Sequence, residues 1–279
     1  MPFKKVAVVT GSNKGLGYGI VKGLCEKFDG VVYLTSRDET RGKEAVKQLE
    51  SLGLKPLYHQ LDVTDQSSID NLRKYIEMTH GGLDLLINNA GVRLKGMVPF
   101  EKQAEETLKV NYFGVLNVCE ALFPLLRKNA RVVNISSSSG HLSRIPAEKL
   151  RTQFKNPELT VDQLNKLMNK FLHDTKAGTH IQEGWGEITY VVSKVGLSAL
   201  TFVHQRLFDE EIPKRNISIN AVHPGFVNTD MVDHLGPLTI EEGARAPLFL
   251  ALDSDWKGKY VWCDSKELDW CAETTPAIY

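Results

Sequence analysis

Tyr190-Val191-Val192-Ser193-Lys194 sets a phenol and an ammonium four positions apart. On a helix, positions i and i+4 share a face, so the two groups lie side by side. A neighbouring cation favours phenolate and draws a tyrosine pKa down from its ordinary value of about 10. Such a phenol exchanges a proton with a carbonyl or alcohol oxygen near neutral pH. An exposed amphipathic pair has the same spacing, so the pentad acquires chemical meaning only through partners. Candidates are the hydroxyls of Ser136, Ser137, Ser138 and Ser139, at the end of the apolar run Val132-Val133-Asn134-Ile135. Asn88-Asn89-Ala90-Gly91 and Pro224-Gly225-Phe226-Val227-Asn228-Thr229 each follow another apolar run. Donors aimed at an oxygen that gains negative charge act more strongly in the transition state than before it. The eight histidines form no ligand-like cluster, so they read as structural or exposed and no metal is expected.

A second group of residues suits a phosphate-bearing cofactor. Thr10-Gly11-Ser12-Asn13-Lys14-Gly15-Leu16-Gly17 follows a short valine-rich run. Glycines at a strand-to-helix turn let backbone amides approach a pyrophosphate, while the helix offers its positive end. The spacing is GxxxGxG rather than GxGxxG. About twenty residues beyond such a loop stands the group that meets the adenosine ribose, an acid where the 2′-hydroxyl is free. Here that place holds Ser36-Arg37, with Lys14 available from the loop. An arginine fork and a lysine point charge suit a 2′-phosphate, which predicts NADP(H) over NAD. Asp38 either competes with those cations or starts the next turn. Asp62, followed by Val63, either accepts from an adenine or caps the loop before the next helix.

These residues need a frame that brings them together. Short apolar strands are predicted over residues 5–10, 31–35, 56–61, 83–88, 131–136, 217–222 and 259–263. Helical spacing follows the glycine loop to about Phe28, then covers residues 40–52, 66–79, 103–126, 189–210 and 239–252. Such alternation predicts parallel βαβ units, and right-handed crossovers then favour a doubly wound Rossmann sheet. Its carboxyl edge is where open α/β sheets bind ligands, and loops from four strands converge there. Residues 141–186 break the alternation as a helical insertion. Residues 146–154 form one short segment. Thr160-x-x-Gln163 then caps a helix over 161–175 with an apolar stripe of Leu164, Leu167, Met168, Phe171 and Leu172. Thr239-x-x-Glu242 is a second such cap.

The 279 residues allow one large domain or two small ones, and the motif order argues for one over 1–279. With 34 basic and 34 acidic side chains, a broadly basic nucleic-acid binder is excluded. No run approaches about 18 apolar residues, so no membrane span is expected, and the start of the chain does not read as a signal peptide. Cys25, Cys119, Cys263 and Cys271 are scattered, which fits a reducing, cytoplasmic setting. Cys25 and Cys119 read as small buried hydrophobes. The tail from Trp270 to Tyr279 shows no clear pattern.

In this order the motifs resemble the short-chain dehydrogenase/reductase family across nearly the whole chain: TGxxxGxG at 10–17, NNAG at 88–91, YxxxK at 190–194 and Pro-Gly at 224–225. The resemblance implies that Tyr190 is the general acid of carbonyl reduction. Lys194 would lower its pKa and hold the nicotinamide ribose. Asn111 would support a proton-relay water through a helix kink, and Ser137 would polarise the carbonyl, although its three serine neighbours leave that register open. Implied cofactor contacts are Gly11, Asn13, Lys14, Gly15, Leu16, Gly17, Arg37, Asp62, Val63, Asn89, Ala90, Gly91, Tyr190, Lys194, Pro224, Gly225, Val227 and Thr229. Substrate would meet Ser137, Tyr190, Phe226 and Met231.

Ser137 and Tyr190 stand 53 positions apart, where the family usually leaves a short interval. That insertion, Asn13-Lys14 and Ser36-Arg37-Asp38 are similar to the monomeric NADPH-dependent carbonyl reductases. In related oligomers the helices near the tyrosine pair with another subunit, so the stripe of 161–175 is expected to cover that face and leave a monomer. Phe226 stands where that group usually has tryptophan, and His223 where it has cysteine. A smaller aromatic widens the pocket, His223 reads as packed at a strand end, and Met231 adapts to varied apolar substrates. The implied substrates are small-molecule carbonyls: quinones, aromatic aldehydes and ketones, or larger lipid carbonyls. The same residues could serve an alcohol or hydroxysteroid dehydrogenase running oxidatively. A dinucleotide-sensing protein without turnover is a further alternative, against which the intact Ser137, Tyr190 and Lys194 argue.

Overall fold

A computed structural model describes residues 4–94, 96 and 98–276. Valine- and leucine-rich segments form β1 (Lys5–Val9), β2 (Gly30–Ser36), β3 (Leu57–Gln60), β4 (Leu83–Asn88), β5 (Leu126–Ile135), β6 (Ser218–Val222) and β7 (Tyr260–Val261). They make one parallel sheet of order β3-β2-β1-β4-β5-β6-β7. The order reverses between β1 and β4, which opens a crevice at their carboxyl ends.

Both faces of the sheet are covered, as continuous apolar strands require. One face packs under α1 (Gly15–Lys27), α2 (Glu39–Ser51) and α9 (Ile240–Leu252), through residues such as Ile20, Leu24, Leu49 and Leu250. The other lies under α3 (Gln66–His80), α5 (Val115–Leu122) and α8 (Thr189–Glu210), where Ile69, Leu72, Val118 and Leu197 are buried. The remaining helices are α4 (Phe100–Leu108), α6 (Glu148–Phe154) and α7 (Val161–Lys176). Asp38, Asp65, Thr160 and Thr239 cap α2, α3, α7 and α9 through their side chains, the last two as complete capping boxes.

Two regions depart from sequence expectation. The continuous helix expected over 103–126 is interrupted by a π-helical turn at Lys109–Gly114, between α4 and α5. Its side-chain spacing still looks helical, so periodicity alone hides it. β5 begins at Leu126, well before the expected 131, because its register against β4 shifts between Leu83 and Leu85. The polar residues at that bulge interrupt the apolar pattern, and Asn129 adopts φ 65° there.

The insertion packs on the parent domain. α7 lies on α4 and α8, burying Leu164, Leu167, Met168 and Phe171, with Leu172 partly buried. Gly196 of α8 permits this approach, since a Cβ there would stand 2.6 Å from Met168 Sδ. Trp185 is buried against Phe154 and Phe171 and donates to Asp174 at 2.8 Å. The tail is also fastened: Trp270 Nε1 donates to the Gly140 carbonyl at 2.7 Å, and Arg144 donates to Thr275. Its last three residues, 277–279, lie outside the described residues. Among the described residues no helix is long and apolar enough to cross a membrane.

Candidate active site

A cleft of about 790 Å³ runs along the carboxyl edge of the sheet. At one end is the turn between β1 and α1. Gly11 takes φ +59°, and a Cβ there would meet Ala90 Cα at 2.9 Å. Thr10 Oγ1 accepts from the amides of Asn89 and Ala90, and Asn89 Nδ2 donates to the carbonyls of Thr10 and Gly11. The NNAG segment therefore braces the glycine turn from behind. Lys14 stands at the N-cap of α1 without a side-chain cap, and the first turn carries no acid. That leaves the positive helix end facing the cleft uncompensated.

Gly11, Asn13, Lys14, Gly15, Leu16, Gly17 and Arg37 line this end, with Asp62, Val63, Asn89, Ala90 and Gly91 along the adjoining wall. Arg37 has no ion pair among the described residues. Lys14 does: its ammonium lies 2.5 Å from Asp230, which His234 also approaches at 3.0 Å. Both partners are largely exposed, so solvent screens the pair. Asp38 resolves as a cap, accepting from the Arg41 amide at 2.9 Å. Asp62 Oδ1 closes its own loop, accepting from Thr64 N and Oγ1 at 2.9 and 2.8 Å, while the residue still borders the cleft. Arg41 was missed from the sequence; with Asn13 and Lys14 it lines a smaller adjoining cavity.

The other end is built around α8. Asn88 Nδ2 donates to Asn134 Oδ1 at 2.8 Å, and Asn134 Nδ2 donates to Thr201 Oγ1 at 2.9 Å. This buried chain ties β4, β5 and α8 together, and so fixes the helix that carries Tyr190 and Lys194. Lys194 is buried, its Nζ donates to the Ile135 carbonyl at 2.7 Å, and it lies 5.7 Å from the Tyr190 ring centre. The Tyr190 hydroxyl faces Met231 Sδ at 4.0 Å.

Four consecutive serines, Ser136 to Ser139, border the cleft and differ in their surroundings. Ser136 is buried and hydrogen-bonded to Ser198 at 2.8 Å, whereas Ser137 is half-exposed to the cleft and interacts with Tyr190. Tyr260, which the sequence did not suggest, donates its hydroxyl to the Ser137 carbonyl. Pro224, Gly225, Phe226, Val227, Thr229 and Met231 complete the far wall. His223 also borders the cleft, with its ring on Trp262 at 4.4 Å. Burial pushes it down to about 4, so it is neutral at pH 7.

One expectation needs correction. Burial raises the Tyr190 pKa above its ordinary value, and the Ser137 side chain and the Arg93 guanidinium only partly offset this. Lys194 does not dominate, because desolvation pushes its own pKa down to about 7. Asn111 stands at a helix irregularity, as the resemblance implies, set back from the cleft lining. It is buried in the π turn, donates to the Val92 carbonyl and Ser193 Oγ, and accepts from the Val92 amide.

The arrangement fits a dinucleotide phosphate. Cations and a bare helix end lie at one extremity of the cleft, and a phenol, a hydroxyl and an ammonium at the other. A doubly wound sheet with this crevice is the frame of dinucleotide-binding proteins. The short chain dehydrogenase family matches residues 5–147, and the chain belongs to that family. It is 46% identical over 260 residues to carbonyl reductase (NADPH) 1 of Bos taurus, covering 91% of this chain and 94% of that protein. Carbonyl reductase (NADPH) 3 of Mus musculus is 47% identical over 252 residues, covering 89% and 91%. Among solved structures, salutaridine reductase from Papaver somniferum superposes with a TM-score of 0.84 at 34% identity, covering 92% of this chain and 99% of that one.

Proposed function

We propose that this protein reduces small-molecule carbonyl compounds with NADPH, using Tyr190 as the proton donor. The observation that carries the reading is one cleft with free Arg37 at one end and Ser137, Tyr190 and Lys194 at the other. When bound, NADPH supplies the hydride. Arg37, with Arg41 and Lys14, would hold its 2′-phosphate, and the backbone amides of the Gly11–Gly17 turn would serve its pyrophosphate. Ser137 and Tyr190 donate to the carbonyl oxygen as negative charge develops there. Tyr190 then gives up its phenolic proton. Lys194 would hold the ribose and, when charged, favours the phenolate left behind. Asn111 is a positioning residue that pins Val92 and Ser193.

The raised Tyr190 pKa favours this direction over oxidation, because a reductase needs the phenol protonated before the step. Reductive kcat/KM should accordingly hold through neutral pH and fall as rising pH ionises Tyr190. The deciding assay is NADPH oxidation with menadione by wild type and Tyr190→Phe. Equal rates, or none in either protein, would overturn the mechanism.

We also infer a monomer in a reducing, cytoplasmic setting. α7 covers α4 and the adjoining face of α8, and the four cysteines are unbridged. Sedimentation tests the monomer: a stable dimer at micromolar concentration would refute it.

A further inference from the structure

Arg93 is a cation at the reacting end of the cleft to which the proposed chemistry assigns no contact with substrate or cofactor. It lines the same cleft as Tyr190, and its guanidinium carbon lies 5.9 Å from the Tyr190 ring centre. Among the described residues no carboxylate pairs with it. The other cleft charges are engaged elsewhere: Lys14 pairs with Asp230, Lys194 donates to the Ile135 carbonyl, and Arg37 sits at the glycine-turn end. The base of Arg93 is held in place. Val92, its neighbour, has both backbone polar groups bound by the buried Asn111 side chain, at 2.8 and 2.9 Å. The surrounding wall contains Leu94, Phe226 and Met231, so an anion entering here has apolar surface beside it and one unpaired planar cation above the phenol.

Building on the carbonyl reductase reading, we propose that Arg93 is a specificity residue that selects carbonyl substrates bearing a carboxylate close to the reacting group. A guanidinium offers a carboxylate two parallel donors in a fixed fork, which a neutral ester of the same shape cannot use as an ion pair. The carbonyl must lie against the Tyr190 hydroxyl to react, so an anion a few bonds away falls within reach of Arg93. Its exposure moderates the gain through solvent screening.

The test is a ratio: kcat/KM for 4-carboxybenzaldehyde divided by kcat/KM for methyl 4-formylbenzoate, with NADPH saturating. Wild type is expected to favour the carboxylate about tenfold, the ratio expected of one modest charge-assisted contact. Arg93→Ala should bring the ratio to about one, Arg93→Lys should leave it intermediate, and Arg93→Glu should invert it. Added salt should shrink the wild-type ratio. A wild-type ratio near one, or a ratio unmoved by Arg93→Ala, overturns the proposal. So does an equal slowing of both substrates in Arg93→Ala, which would mean that the guanidinium acts on Tyr190 alone. Menadione separates the two readings. If it is reduced while the ratio is near one, only the role of Arg93 falls; if neither it nor the aldehydes are reduced, the carbonyl reductase reading falls as well.

Discussion

The two ends of the cleft are built on different principles. At the glycine-turn end, the site rests on backbone amides, a helix end and the long exposed side chains of Lys14, Arg37 and Arg41. At the α8 end it rests on buried groups, Lys194 and the Asn88-Asn134-Thr201 chain, with a half-buried phenol above them. Charge is cheap to present in water and costly to bury, so the first end tolerates change and the second couples chemistry to stability. The contrast teaches that cofactor choice and catalysis should be separable by mutation.

The sharpest test of that separation is Tyr190→Phe. It should lower kcat by about 10³-fold, the range of a lost general acid, while NADPH affinity measured by fluorescence titration stays nearly the same. A parallel loss of NADPH affinity would break the contrast. Lys194→Met should also lower kcat strongly, yet raise the thermal midpoint at pH 7. The unfolded lysine binds more protons than the folded one between about 7 and its ordinary value, so wild-type stability rises with pH across that window. The melting difference between the proteins should therefore shrink towards pH 10. A Lys194→Met protein less stable than wild type at pH 7 would contradict the burial cost.

Arg37→Asp addresses the exposed end. It should shift the ratio of NADPH to NADH kcat/KM by about 100-fold toward NADH, with the thermal midpoint little changed. An unaltered ratio would reject Arg37 as the phosphate ligand. Asp230→Asn should have the smallest effect. It frees Lys14 from its exposed partner and should tighten NADPH binding by about twofold, as befits a screened surface pair. A weaker affinity would show that the ion pair holds the mouth of the cleft in shape.

Much of this was legible in the residues. The β-strand runs, the two capping boxes and the apolar stripe of α7 depend on local spacing and chemistry, and they recur in the fold. The glycine turn was legible because few other residues accept φ +59° beside a neighbouring backbone. The π turn was not, because a wider helical turn leaves the sequence pattern almost unchanged. Arg41 and Arg93 were not either, since an arginine near a motif is common and only its direction in space gives it a role. Nor did any local signal join the tail to the 140–144 loop through Trp270 and Arg144.

Taken alone, the order of the motifs determined the parallel α/β frame, the phosphate-binding turn and the spacing of Tyr190 and Lys194. Those are properties of short segments, set by backbone sterics and side-chain period. Tertiary structure set Ser136 apart from Ser137, by binding Ser136 to Ser198 and leaving Ser137 half-exposed in the cleft. It also moved the proton affinities of the pair in opposite directions. Burial raises Tyr190 and lowers Lys194, a result that depends on how much water the surrounding elements exclude. Water exclusion is a property of packed surfaces, and no spacing along the chain encodes it directly.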